Sequence, residues 1–384
     1  MTLRAYFPLA AGILINLSMG LLYGWSVLLA PLEESLDANR ASVSLAYSLA
    51  FIFFTLGGFV MYRLLRWFSL SGLALAVGTL GAAGLAIAGF GGSLTSLIIG
   101  FGVAYGFAAG VSYFLAMTAA SVPSPLSHSV SLSINMSSFA IGGVLWPPVF
   151  DALISGLGAH GALEIAALAL LGAGALAAIL LKASGAAAPS GTEDTGLFRD
   201  ILTDQPRVVI AIFVGFTLLA FAALMVIGHA AGMAAEWQAE NVALGPMITN
   251  LAYIGGALLT GQICRVIAGR FVLVGISVLT GGILLVLWLS PSLGLLYVVL
   301  ALTGASFGGA ATAYPVTITG YYGVAALPRV YGRLGVAYGL GGLLGPLAAG
   351  AIYDANTSYL LAIIIAAALA LVAAAAHGTL PRAK

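Results

Sequence analysis

An arginine closes an apolar run in Gly261-Gln262-Ile263-Cys264-Arg265. A guanidinium at mid-bilayer costs roughly 2.5–3.5 kcal/mol even on lenient insertion scales, so an arginine within a span faces a watery cavity or a bound anion. The competing reading puts Arg265 at the cytoplasmic rim, snorkelling to the headgroups. Met225, His229 and Met233 recur at i, i+4 and i+8 and would share one helix face. Two thioethers and an imidazole suit Cu(I), although methionine is also ordinary filler in apolar helices. A lone intramembrane histidine also serves to hydrogen-bond a substrate or to carry a proton near neutral pH. Tyr23, Trp25, Tyr105, Tyr113, Asn135, Tyr314 and Tyr338 are candidates to line a cavity, since phenol and indole pair apolar walls with hydrogen-bonding tips. For each, helix packing or an interfacial belt is the alternative. Glu164 could couple a proton, but it lies close to a span's outer end, where a solvated rim position is expected.

The elements that must hold these residues are membrane helices. Of 384 residues, 61% are hydrophobic and 7% charged, against roughly a quarter charged in a soluble domain. Strand alternation is absent, which argues against a β-barrel, and 51 glycines suit helices that approach closely through small side chains. The chain reads as an all-α polytopic membrane protein. A net charge of +1 gives no field for nucleic acid. The single Cys264 excludes an internal disulfide and a cysteine-based metal cluster. Arg4 precedes a long apolar run with no small-residue cleavage signature, so the N-terminus reads as a first span rather than a removed signal. No enzyme is expected: there is no His-Glu-x-x-His, no intramembrane aspartate pair and no nucleotide-binding loop, and a nucleophile elbow is not expected either. No cofactor is implied.

With about 20 apolar residues needed to cross the hydrocarbon, polar breaks predict about twelve spans. Six lie near 6–30 (ending at Pro31), 41–61, 68–91, 95–120, 128–155 and 161–181, forming an N-terminal six-helix bundle over 1–182. A polar cytoplasmic linker covers 183–206. Six more lie near 207–233, 246–267, 271–290, 293–319, 330–353 and 358–377, in a C-terminal six-helix bundle over 207–384. With the N-terminus inside, the inner loops collect Arg4, Arg63, Arg66, Lys182, Arg199, Arg207, Arg270, Arg329, Arg333, Arg382 and Lys384, whereas the outer loops hold Arg40. That asymmetry places both termini in the cytoplasm and the chain in the inner or plasma membrane. The halves also echo each other: Gly142-Gly143-Val144-Leu145-Trp146-Pro147 parallels Gly341-Gly342-Leu343-Leu344-Gly345-Pro346, and Ala104-Tyr105-Gly106 parallels Ser306-Phe307-Gly308. Weak repetition of six plus six helices is the pattern of a two-bundle transporter, with its substrate site expected between the bundles near the midplane.

Gly58-Phe59-Val60-Met61-Tyr62-Arg63-Leu64-Leu65-Arg66 has the spacing of the major facilitator loop signature, with Tyr62 in place of the usual Asp and Leu65 in place of the usual Gly. Across the chain the closer resemblance is to the oxalate/formate antiporter branch of that superfamily, neighbouring the monocarboxylate transporters. It rests on Gly20-Leu21-Leu22-Tyr23-Gly24-Trp25-Ser26 with Pro31-Leu32-Glu33, on Leu224-Met225-Val226-Ile227-Gly228-His229, on Cys264-Arg265, on Tyr331-Gly332, and on Gly339-Leu340-Gly341-Gly342-Leu343-Leu344-Gly345-Pro346. The resemblance implies a major facilitator fold and an anion carrier in which an arginine of the eighth helix, here Arg265, clamps a carboxylate. Where the oxalate carrier has a lysine in the eleventh helix, this chain has Tyr338. A dianion facing one arginine would leave a buried charge unbalanced, whereas one guanidinium fork matches one carboxylate. A small monocarboxylate is therefore the expected substrate, with a proton or counter-anion coupled to it, the lipid bilayer as surroundings, and a monomer as the working form.

Overall fold

The computed structural model describes residues 3–187, 205–323 and 327–382, and it is helical, with no strand among those residues. The expected linker over 183–206 lies outside the described residues from 188 to 204, Arg199 included, and so does Lys384. The chain divides into two compact units, Met1–Thr192 and Glu193–Lys384.

In the first unit, α1 (Phe7–Met19) passes through a 3-10 turn at Gly20–Gly24 into α2 (Ser26–Leu36). Pro31 does not end this span as expected: the helix carries its ring and closes at Asp37, which takes φ 47°. Glu33 of α2 then grips Arg40 through two hydrogen bonds, Nε to Oε1 at 2.6 Å and Nη2 to Oε2 at 2.8 Å. This fixes the start of α3 (Arg40–Leu64). The side chains of Asn39 and Ser69 accept N–H groups from the first turns of α3 and of α4 (Leu70–Phe90), satisfying donors that have no partner within the helix. Next, α5 (Leu94–Leu97) runs through a π-helical stretch, Ile98–Tyr105, into α6 (Gly106–Ala120). The two spans expected at 128–155 and 161–181 are joined without a loop in α7 (His128–Ser184), broken at Gly158. Gly158 takes φ 71° and ψ 176°, a conformation open in practice to glycine alone.

The second unit consists of α8 (Pro206–Ile227), α9 (Ala230–Glu236), α10 (Leu244–Ile263), α11 (Gly269–Leu289), α12 (Leu293–Tyr322), α13 (Leu327–Leu334), α14 (Val336–Asn356) and α15 (Leu360–Gly378). Glu236 accepts from the Ser358 hydroxyl (2.7 Å) and the Tyr359 N–H (3.0 Å), so a carboxylate from the end of α9 holds the start of α15. That arrangement also suits the positive end of the helix dipole. Among the described residues, ten helices are long and apolar enough to cross a membrane. The broken α7 counts as two crossings, and α10, whose hydropathy Thr249, Asn250, Thr260 and Gln262 lower, brings the total to twelve.

The internal repetition is visible in the packing. A Cβ on Gly106 or Gly110 of α6 would overlap the backbone of Ala50 or Phe54 in α3. In the second unit, Gly304 and Gly308 of α12 press in the same way on Thr249 and Tyr253 of α10. In both units two glycines four apart let the backbones meet, as in small-residue membrane interfaces. The parallel expected between Gly106 and Gly308 is thus one helical turn out of register: Gly106 corresponds to Gly304, and Gly110 to Gly308. Glycine-rich composition hid the slip. The other parallel is in register, with Gly142 seated on Leu17 and Gly20, and Gly341 on Thr217 and Phe221.

Candidate functional site

Candidate residues of the first unit fall into two aromatic clusters. Trp25 follows the 3-10 turn that ends the first half of its span, and it is fully buried. Its ring lies parallel to that of Tyr47 (5.4 Å, 2°) and 4.6 Å from Phe101, which in turn lies 4.9 Å from Tyr105. The Tyr105 hydroxyl donates to Met19 O at 2.6 Å and is thereby spent on α1. Trp25 Nε1, Ser26 Oγ and Ser48 Oγ have no hydrogen-bond partner among the described residues. An indole N–H can only donate, and leaving a buried donor unpaired costs about 1–3 kcal/mol. In the second cluster Tyr23 and Tyr113 meet edge-on against Phe139, at 5.4 and 5.5 Å, with Phe54 5.7 Å from Tyr113. Asn135 stands apart from both clusters. It is buried, donates to Ala116 O and accepts from Asn16 Nδ2 at 3.0 Å, tying α7 to α6 and α1.

In the second unit Phe216 brings Tyr314 and Tyr338 together, stacking on Tyr314 at 4.0 Å and lying 6.2 Å from Tyr338. Phe307 stacks on Tyr338 at 6.1 Å, and Tyr253 lies 5.9 Å from Phe307. The Tyr314 hydroxyl is turned away to His377, a residue the sequence reading did not single out. Ser277 donates its only proton to Leu273 O (2.8 Å), so His377 Nδ1–H donates to Ser277 Oγ (3.0 Å) and His377 Nε2 accepts from Tyr314 (3.0 Å). A side chain at Gly215 would collide with that imidazole, which explains the glycine there. The signal available was a histidine in the apolar stretch Ala373-Ala374-Ala375-Ala376-His377. Its partners, 63 and 100 residues away, left no local trace.

His229 is also fully buried, in the break between α8 and α9. Its Nε2–H donates to the Pro346 carbonyl at 2.9 Å, so Nδ1 accepts from the Tyr359 hydroxyl at 2.9 Å. The continuous helical stripe expected of Met225, His229 and Met233 is therefore corrected: α8 ends at Ile227, and the histidine stands outside both helices. A metal at Nδ1 would have to displace Tyr359.

Arg265 lies beyond the end of α10, exposed, with Nη1 donating to Gln262 Oε1 at 3.2 Å. The expectation of an arginine inside the span is corrected by the turn that precedes it. Cys264, Arg265, Val266 and Ile267 donate their N–H groups to Thr260, Gln262, Ile263 and Ile263, repeating the pattern of Leu65, Arg66, Trp67 and Phe68 on Met61, Arg63, Leu64 and Leu64. Burial pushes the neighbouring Cys264 thiol up from its ordinary pKa. Glu164 is half-buried against Gly89. One pentapeptide departs from the enzyme reading above: Gly304-Ala305-Ser306-Phe307-Gly308 spells a nucleophile elbow. It lies in the middle of α12 rather than on a strand-to-helix turn, and its glycines serve the contact with α10. Ser306 Oγ, with Thr303 Oγ1 one turn earlier, has no partner among the described residues.

No protein-family model matches the chain. An uncharacterized MFS-type transporter of Escherichia coli K12, YhjX, is 22% identical over 347 residues, covering 88% of this chain and 86% of the relative. Among solved structures, a bacterial homologue of the human lysosomal transporter Spinster, inward-facing and occupied, superposes with a TM-score of 0.79 at 15% identity, covering 98% of this chain and 96% of that one. The nucleoside transporter NupG gives a TM-score of 0.73 at 18% identity, over 97% of this chain and 98% of that one. The chain is an integral membrane protein with the major facilitator fold, similar along most of its length to an MFS-type transporter.

Proposed function

We propose that the chain is a secondary active transporter, not an enzyme, moving a small organic anion of monocarboxylate size by alternating access, in exchange for another anion or together with a proton. The observation that carries the substrate class is the buried indole N–H of Trp25, without an acceptor among the described residues and with the hydroxyls of Ser26 and Ser48 equally unpartnered. The indole N–H can only donate and the hydroxyls can do so as well, which favours a solute rich in acceptors, and a carboxylate offers two oxygens and no donor. In the same unit, Tyr23 and Tyr113 supply aromatic walls. Arg265, exposed at the helix end, acts in this reading by drawing the anion with its field rather than by clamping it within the span.

A second reading is favoured by that same exposure. With the guanidinium at a helix end, a neutral or aromatic solute could use the phenol and indole faces alone. A thermal-shift panel on detergent-solubilised protein separates the two. It compares small monocarboxylates, oxalate, Cu(I) and aromatic solutes, because a ligand at 100 times its Kd stabilises by about 2.7 kcal/mol. Monocarboxylates alone should raise the midpoint, in a manner reduced by Trp25→Phe. A rise with aromatic solutes and none with carboxylates would replace the first reading by the second.

A further inference from the structure

A groove of about 260 Å³ lies between α8 and α15, at the end where α8 begins and α15 finishes. Ile210, Ala211 and Val214 of α8 and Ala376 of α15 form its wall, with Arg207 and Thr379 also lining it. Arg207, Ile210 and Val214 recur at i, i+3 and i+7, along one face of α8. That face is uncovered, Ile210 being 57% and Val214 39% exposed. Small alanines on both helices leave the recess open.

Among the described residues the charge at this end is one-sided. Arg207 is exposed and has no carboxylate partner among the described residues. The segment that follows the groove-lining Thr379 is pinned: Arg270 Nη1 donates to Leu380 O at 3.2 Å and the Tyr321 hydroxyl to Pro381 O, and the exposed Arg382 comes next. The described acids of this unit, Glu236, Glu240 and Asp354, come at or after the far ends of α9 and α14. The Thr379 hydroxyl donates to Ala376 O at 2.7 Å and so has no proton to offer an anion, which leaves recognition to the guanidinium groups.

We propose that this groove binds an anionic glycerophospholipid, its phosphate on Arg207 near Arg382 and an acyl chain along Ile210, Val214 and Ala376. A basic pocket between spanning helices suits such a headgroup, and a zwitterionic lipid would bring a second, repelled cation. The site is independent of the transport reading.

The test adds phosphatidylglycerol, phosphatidylcholine with the same acyl chains, or inorganic phosphate to the full chain in detergent, and counts bound lipid by native mass spectrometry. Phosphatidylglycerol should bind at least tenfold more tightly than phosphatidylcholine. Arg207→Gln should erase that preference, and Ala376→Leu, which fills the groove and keeps the charge, should weaken both lipids. Equal binding of the two lipids, or a preference that survives Arg207→Gln, overturns the proposal. So does inorganic phosphate that competes as well as the anionic lipid, because the site would then be for an anion and not for a lipid. Should Arg207→Gln fail to fold, Arg207→Lys decides: it keeps the charge and should keep the preference, and loss of the preference counts against the proposal.

Discussion

Tyr359 joins His229 to Glu236: its hydroxyl donates to His229 Nδ1 at 2.9 Å, while its main-chain N–H donates to Glu236. His229 continues the chain to the Pro346 carbonyl, so one tyrosine links the break after α8 to α14 and α15. Tyr359→Phe keeps the ring packing and removes the hydroxyl that donates to the buried His229 Nδ1. It should destabilise the protein by about 1–3 kcal/mol, read as a lower denaturation midpoint in detergent. An unchanged midpoint would mean that the hydroxyl contributes nothing to the second unit.

The glycine contacts make a paired prediction. Gly110→Val and Gly308→Val each force a side chain into the backbone of a neighbouring helix and should lower stability by about 1–3 kcal/mol or more. Gly282 of α11 has open space around its Cβ position. Gly282→Ala should therefore be neutral or stabilise by about 0.5–1 kcal/mol, through helix propensity alone. Similar losses at all three positions would contradict the repeat described above.

Cys264 provides a reporter for the end of α10. The thiolate is the nucleophile, and burial raises this thiol's pKa, so the thiolate fraction at neutral pH is below that of an ordinary cysteine. Maleimide labelling should be slow at pH 7 and rise about tenfold per pH unit while the pH stays below the pKa. Because the basic loops predict this end inside, an impermeant maleimide should label inverted vesicles and spare intact cells. A rate independent of pH would contradict the burial, and labelling of intact cells would contradict the orientation.

The spans, the charge asymmetry and the small-residue contacts were legible in the sequence, because each is written in local composition. The end of α10 was not. Val266, Ile267 and Ala268 prolong the apolar run past Ile263, and hydropathy does not reveal that the chain has already turned. The same blindness places Arg265 in the span, although Arg66, in the matching turn of the first unit, falls with Arg63 in an inner loop. Tyr23 and Tyr113 were selected one by one, but that Phe139 joins them follows from packing between distant segments. His377 and Tyr359 went unselected for that reason: their importance lies entirely in partners on other helices.

The central claim is that an anion accepts the Trp25 N–H, and the uptake of labelled monocarboxylate by proteoliposomes carrying wild-type protein or Trp25→Phe tests it most directly. A hydrogen bond to a charged group is worth about 1.5–3 kcal/mol. The wild type should concentrate the solute, and the variant, correctly folded by its melting curve, should lose roughly 10- to 100-fold in kcat/KM, as that energy range requires. If the variant transports monocarboxylate as well as the wild type, or the wild type transports none, the donor is a packing feature and the substrate class assigned to this chain is wrong.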